Sequence, residues 1–310
     1  MATVDATVSI MVPVEVNDTT LTSTTVAETD YSQWLIGTTY ALADMVIDTT
    51  THRIYESAQA SNTGNDPTDV ANRTGEAPWW IDVSATNAWK MFDGQSASAT
   101  VEALTLTIVV KPGFASSIYM GGLIGDSATV VMTSSPGGTE VYNETIQLEN
   151  SLPGDYYEYF FSPFTQQPDL VVNDLPPYLN GEVTITLTIS AGYVECGMFR
   201  IGDLRPIGLT SYNSEVIPKT YSYIDIDEFG NNKIVPRNKA KDMRIPVVVE
   251  IAASDSVVDL MTSVLDVPSV VVGTTLDDHA ALRGFGLVSG SMKYLKPGLN
   301  SLSLQVKGLI

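Results

Sequence analysis

The sequence contains few of the side chains that build catalytic or metal centres. Among its 310 residues there are one cysteine, Cys196, and two histidines, His52 and His279. A single cysteine excludes an intrachain disulfide framework and a cysteine-based zinc site. A cysteine or serine nucleophile needs a histidine partner, and both histidines stand in unrelated surroundings. We therefore expect no enzyme activity, no cofactor and no metal, and we expect Cys196 to be a small buried side chain.

Long helical or apolar windows are also missing. Hydrophobic residues make up 44% of the chain and charged residues 17%, so the chain can bury a core, and residues typical of strands and turns dominate. This composition predicts a mainly β fold. The longest apolar runs are far too short to span a membrane. The segment Met1–Asp5 has neither the basic nor the apolar part of a signal peptide, so we expect synthesis in a cytoplasm without membrane insertion.

Basic residues are scarce and unevenly distributed. The chain has 16 Lys and Arg against 36 Asp and Glu, a net charge of −20. Counted by segment, residues 1–110 have net charge −11, residues 111–205 have −8 and residues 206–310 have −1. The acidic two-thirds should repel nucleic acid. One basic cluster stands apart, and it could be a solvated hairpin, a contact to an acidic neighbouring subunit or, less expected, a phosphate contact; it comprises Lys233, Arg237, Lys239, Lys241 and Arg244.

Turn and strand patterns divide the chain into four regions. Residues 1–30 are expected to form an N-terminal strand and linker, and residues 31–100 a small aromatic-rich β module. Short strands about every ten residues over 101–205 predict a β-sandwich of jelly-roll type. Residues 206–310 predict an α+β docking domain, which includes a hairpin whose turn contains Gly230 and Asn231.

Two local patterns are clear. From Val8 to Val16 apolar residues alternate with others, which predicts a strand, and Pro13 indicates an edge strand or an unpaired amide. Between Ser254 and Leu265 apolar residues recur at helical spacing, so this segment predicts the single clear helix, with Ser254 and Asp255 able to cap its start.

The aromatic residues of the module support two interpretations. An exposed aromatic face can stack on the apolar side of a sugar, while a small domain also needs bulky side chains for its core. Carbohydrate binding is one hypothesis, and a scaffold that packs on neighbouring subunits is the other; the residues concerned are Trp34, Tyr40, Tyr55, Trp79 and Trp80. The segment with Trp89, Met91 and Phe92 is too apolar for an exposed loop, so we expect an inter-domain or inter-subunit contact there.

Acidic pairs do not build a recognisable site. Asp225, Asp227 and Glu228 stand almost side by side, as do Asp277 and Asp278. Glycoside hydrolysis requires two carboxylates that face one sugar from separate elements. A calcium loop at 225–231 would be incomplete, because no glutamate follows at the required spacing. A hairpin turn accounts better for that segment.

Residues 31–93 resemble the chitin-binding type of small carbohydrate-binding module. The resemblance rests on Trp34, the segment Thr38–Val46, Tyr55–Ser57, the Gly64 and Pro67 loop, and Trp79–Trp80, while Ala43 replaces the family's glycine. It covers about one-fifth of the chain. It implies that the five aromatic residues named above could include a sugar-binding platform.

Nearly the whole chain resembles a group of uncharacterised bacteriophage and prophage structural proteins encoded among tail genes. The matching segments are Val12–Val14, Tyr40–Ser57, Trp80–Val83, Thr86–Gly94, Asp227–Asn231 and Gly308–Ile310. The resemblance implies a virion component of the phage tail, made in the host cytoplasm and assembled with other tail proteins and copies of itself. The alternative function is a glycan-binding adhesion protein that recognises host surface polysaccharide.

Overall fold

The computed structural model describes residues 7–95, 97–148, 156–157, 167–226, 231–236, 239–274, 277–296 and 298–309. The fold is mainly β, as predicted, and the predicted helix is α1 (Ser254–Ser263). The strands in chain order are β1 (Thr7–Val14), β2 (Leu21–Thr24), β3 (Thr39–Tyr40), β4 (Met45–Asp48), β5 (Arg53–Ser57), β6 (Asn62–Thr63), β7 (Trp80–Ala85), β8 (Thr100–Val110), β9 (Ser117–Ile124), β10 (Ser127–Thr133), β11 (Glu140–Gln147), β12 (Asp169–Val172), β13 (Glu182–Thr210), β14 (Glu215–Thr220), β15 (Tyr223–Ile226), β16 (Asn232–Val235), β17 (Lys239–Glu250), β18 (Ser269–Val272), β19 (Arg283–Lys296) and β20 (Leu299–Gly308).

The strand β13 organises the largest sheet. It is 29 residues long, and its first part pairs with β10 and β8, its middle with β9, and its last part with β1 and β17. The pairing register with β8 shifts between Thr188 and Tyr193, where Gly192 adopts φ 95°. A bulge of this kind bends a strand, so β13 can take part in two successive groups of strands.

Two large hydrophobic clusters lie along β13. The first contains side chains from β8, β9, β10 and the first two-thirds of β13, among them Leu106, Met120 and Phe199. The second contains side chains from β17, β20 and α1, with Val8 and Ile10 of β1. A smaller cluster around Met11 and Tyr119 lies on the other side of β1. Buried residues alternate along β17 and β20, which covers one face of these strands, whereas Ile10 and Met11 are adjacent and both buried, so both faces of β1 are covered.

The N-terminal strand is inside the sheet, so the edge-strand interpretation of Pro13 is wrong. β1 pairs with β13 along its length and with β18 from Ser9 to Met11. Pro13 lies past the β18 pairing, which agrees with the alternative interpretation of an amide that needs no partner there. Met11, on the face opposite Val8 and Ile10, is fully buried, because both faces of β1 are covered.

The predicted helix is confirmed, but its predicted cap is wrong. Ser254 does not accept a hydrogen bond from the first turn of α1. Its Oγ donates to the Glu250 carbonyl oxygen (3.0 Å) and accepts from Asn300 Nδ2 (2.7 Å). The hydroxyl therefore joins the helix start to β17 and β20, and the inner face of α1 packs on the second cluster through Val257 and Leu260.

The aromatic-rich module has its own small sheets. β4, β5 and β7 form one sheet, and β3 pairs with β6. β4 and β5 form a hairpin, paired from Met45–Glu56 to Asp48–Arg53. The division of the chain at residues 30, 100 and 205 stays a prediction, although β13 runs through position 205 without interruption.

The close contact at Gly202 gives a test of the β1–β13 pairing. A Cβ at Gly202 would lie 2.1 Å from the Val12 carbonyl oxygen, whereas a Cβ at Gly37 would meet nothing within 4 Å. We expect Gly202→Ala to lower the free energy of unfolding by about 2 kcal/mol, because the strand backbones must separate. Urea unfolding monitored by circular dichroism measures this. Gly37→Ala is the matched control, and equal midpoints for the two variants would contradict the close pairing.

Candidate interaction surfaces

Three of the five candidate sugar-binding aromatics form the core of the module. Trp80 is fully buried, Tyr55 is 1% exposed and Tyr40 is 8% exposed. Tyr40 and Trp80 pack edge to face, with ring centroids 5.2 Å apart, and Trp80 Nε1 donates to the Asn65 carbonyl oxygen (2.8 Å). A ring that is covered on both faces cannot stack on a sugar, so these three residues serve the packing of the module.

The other two, Trp34 and Trp79, lie at the margin of that core. Both are partly buried and pack against the cluster of Tyr40, Val46, Tyr55 and Trp80. The Trp34 amide donates to the Ile47 carbonyl oxygen (2.9 Å), and the Trp79 amide donates to the Asn72 carbonyl oxygen (2.8 Å). Their backbones are thus fixed while part of each ring remains accessible.

The segment that contains Trp89 packs within the chain. Met91 is fully buried in the first hydrophobic cluster, and Trp89 and Phe92 pack against the same cluster. Phe92 meets Phe199 of β13 edge to face at a centroid distance of 5.7 Å, and Arg200 Nη1 donates to the Phe92 carbonyl oxygen (3.0 Å). This segment therefore attaches the module to the β13 scaffold.

His52 completes the same junction, a role that the sequence analysis missed. Its ring nitrogens lie 2.7 Å from Glu28 Oε1 and 2.9 Å from Asp18 Oδ1, and its ring stacks on Trp89 with centroids 3.9 Å apart. Glu28 also accepts from Thr86 Oγ1 (3.0 Å). Residues 17–30, expected to be a linker, are therefore tied to the module. The only sequence signal was an isolated histidine in a turn, and long-range pairing decides its role.

The basic cluster divides into paired and exposed residues. Lys241 Nζ lies 3.6 Å from Asp169 Oδ2, and Arg244 Nη1 lies 3.7 Å from Glu215 Oε2. Lys233 and Lys239 are exposed, and Arg237 lies outside the described residues. Since two members pair with carboxylates of their own chain, the cluster does not act as one basic patch.

The strands β15 and β16 pair with each other as a hairpin, which we call the arm (residues 221–226 and 231–236). They pair with each other from Tyr223–Val235 to Ile226–Asn232, and with no further strand among the described residues. The arm continues the β14–β17 hairpin beyond the large sheet. Its exposed large apolar side chains are Tyr221, Tyr223, Ile226, Ile234 and Val235.

At the opposite end of the strand order, three acidic side chains lie on β11 or close to it. The Tyr142 hydroxyl bonds Glu144 and also donates to Asp174 Oδ1 (2.9 Å). Burial and these two carboxylates raise the pKa of Tyr142. Glu140 is on the same strand, and within the described part of the chain no Lys or Arg forms an ion pair with any of the three carboxylates.

Cys196 is fully buried, as expected from the sequence. Its burial raises the pKa of the thiol to about 12, and its Sγ lies 3.5 Å from the Met198 carbonyl oxygen. Over the residues that the structure describes, no three His, Cys, Asp or Glu side chains are grouped as metal ligands would be. In that same part of the chain, no helix is long and apolar enough to cross a membrane.

Comparison with known proteins gave no match: no family model, no curated protein and no solved structure is similar to this chain at a significant level.

Replacement of His52 tests the junction. We expect His52→Ala to lower the free energy of unfolding by about 2 kcal/mol, because a hydrogen bond to the mostly buried Glu28 carboxylate and the Trp89 stacking are lost. Residues 17–30 should also exchange amide hydrogen faster in mass-spectrometric measurements. His279, the other histidine, is exposed, so His279→Ala is the control. Unchanged exchange over 17–30 in His52→Ala would contradict the junction.

Proposed function

We propose that this chain is a structural component of a bacteriophage virion. It would be associated with the tail, at the tip, the collar or the fibre-attachment region, and would assemble in multiple copies through β-rich interfaces. The observation that carries the proposal is the arm, an exposed hairpin with five large apolar side chains at its surface.

A two-stranded sheet on its own is at best marginally stable, and contiguous exposed apolar side chains indicate a surface that another molecule covers. The arm extends from a sheet that buries two large apolar clusters. A rigid β scaffold with a projecting apolar arm suits a subunit that packs beside neighbours.

The sequence supports the particle assignment. The segments that resemble phage tail proteins include Tyr40–Ser57, Trp80–Val83 and Thr86–Gly94, which supply the core of the module and its junction with β13. The matching segment Asp227–Asn231 lies between β15 and β16 in the sequence, and only Asn231 of it lies within the described residues.

Composition of the particle tests this proposal. Mass spectrometry of density-purified particles from a producing culture should detect peptides of this chain at a constant ratio to a known tail protein, and in several copies per particle. The matched sample is the particle-free lysate of the same culture. Peptides found in the lysate and never in purified particles would exclude the virion assignment.

A second candidate function, glycan binding in host adhesion, is supported by Trp34 and Trp79. Their partly accessible rings lie at the margin of one core, and a pyranose presents an apolar face that stacks on such rings. The other three aromatics would act only as packing beneath this platform.

Titration with chitin oligomers and host polysaccharides tests this candidate. If sugar binds, Trp34→Ala and Trp79→Ala should each weaken binding by about 1 kcal/mol, or about fivefold in affinity. Isothermal calorimetry measures it, with Tyr212→Ala as control, because Tyr212 is 92% exposed and lies far along the chain. Absence of binding, or binding indifferent to both tryptophans, would remove the glycan function.

A further inference from the structure

We infer that the arm docks on a second copy of this chain by adding β16 to the outer edge of β11, next to Glu140, Glu144 and Asp174. The inference rests on the proposed assembly in multiple copies and identifies the two surfaces that meet.

The arm has the chemistry of a strand that adds to a sheet edge. β15 and β16 each have one neighbour within the described residues, so each has a row of backbone groups on its outer side. Ile234 and Ile226 are each 64% exposed. Strand addition pairs the backbone groups and covers these apolar side chains at once.

Charge favours β16 over β15 as the docking strand. β16 carries the basic residue Lys233 and no acidic residue, whereas β15 carries the acidic residue Asp225 and no basic residue. A strand with Lys233 on it therefore suits an acidic edge, and β15, which carries Asp225, would face away.

The edge of β11 has the complementary properties. β11 is the first strand in the order of the large sheet and pairs only with β10 among the described strands. Glu144 and Asp174 both lie against one hydroxyl, that of Tyr142, so a single proton donor serves two carboxylates. The loop that contains Asp174 also exposes Leu179 (70%) and Tyr178 (39%). Basic and apolar groups on β16 would thus meet acidic and apolar groups beside β11.

The two surfaces lie at opposite ends of the strand order, since the arm extends from β14 and β17 and the acidic edge is β11. Each copy would use its arm on one neighbour and its edge on another. Such a head-to-tail contact generates a ring, or a filament when it does not close, rather than a two-fold dimer.

The experiment is sedimentation velocity of the purified full-length chain and of two variants. The arm variant carries Lys233→Ser and Ile234→Ser, and the edge variant carries Glu140→Lys and Glu144→Lys. Wild-type protein should form species larger than the 33.4 kDa chain, in proportions that rise with concentration. Each variant alone should sediment as a monomer, because each lacks one of the two surfaces.

A mixture of the two variants gives the decisive result. The arm variant keeps an intact edge and the edge variant keeps an intact arm, so the mixture should form one-to-one dimers and nothing larger. Leu42→Ser and Glu76→Lys, at exposed positions of the module, are matched controls that should assemble as wild type does. Circular dichroism and thermal unfolding verify that every variant is folded.

Three results would overturn the inference: a wild-type chain that stays monomeric, a variant that assembles as wild type does, or a mixture that stays monomeric. These results are separable from the test of the proposed function. A chain present in purified particles but unaffected by the arm and edge substitutions would keep its place in the virion and lose this contact. A chain that assembles head to tail but is absent from particles would keep this contact and lose the virion assignment.

Discussion

Hydrogen bonding along β13 is the interaction on which the other features of this molecule depend. One strand of 29 residues supplies partners to β8, β9, β10, β1 and β17. Its alternate side chains, such as Ile185 and Phe199, enter the first hydrophobic cluster, and Ile207 enters the second. Because β13 contributes side chains to both clusters, a displacement of one group of strands disturbs the other. The junction with the module, through Phe92 and Arg200, is attached to the same strand.

Much of the scaffold follows from local sequence patterns. The alternation in β1, the helical spacing in α1 and the turns after Val110 and Thr133 depend on neighbouring residues, so those elements can be predicted. The length of β13 could not be predicted, because the small residues Ser190, Ala191 and Gly192 before Tyr193 have the composition of a turn. A bulge rather than a chain reversal occurs there, and only the pairing with β8 on both sides of the bulge decides between them.

The candidate surfaces could likewise be predicted only in part from the local sequence. Aromatic content alone indicated either a sugar platform or a core, and the geometry assigns Tyr40, Tyr55 and Trp80 to the core while Trp34 and Trp79 stay partly accessible. The hairpin at residues 221–235 was predictable from its turn and its alternation. The separation of this hairpin from the large sheet was not predictable, because it depends on where the pairing of β17 with β20 ends, at Met243. The His52 junction joins residues far apart in sequence, and no local pattern indicates it.

Hydrogen exchange of the β13 amides tests most directly the claim that one strand holds the scaffold together. Mass spectrometry with short overlapping peptides can follow residues 182–188 and 193–210 separately in the purified chain. The shared strand predicts that both segments are strongly protected and lose their protection together as denaturant is added, since they belong to one cooperative unit. Exchange over 193–210 that is about a hundredfold faster than over 182–188 under native conditions would contradict the claim, because the two halves of β13 would then open independently.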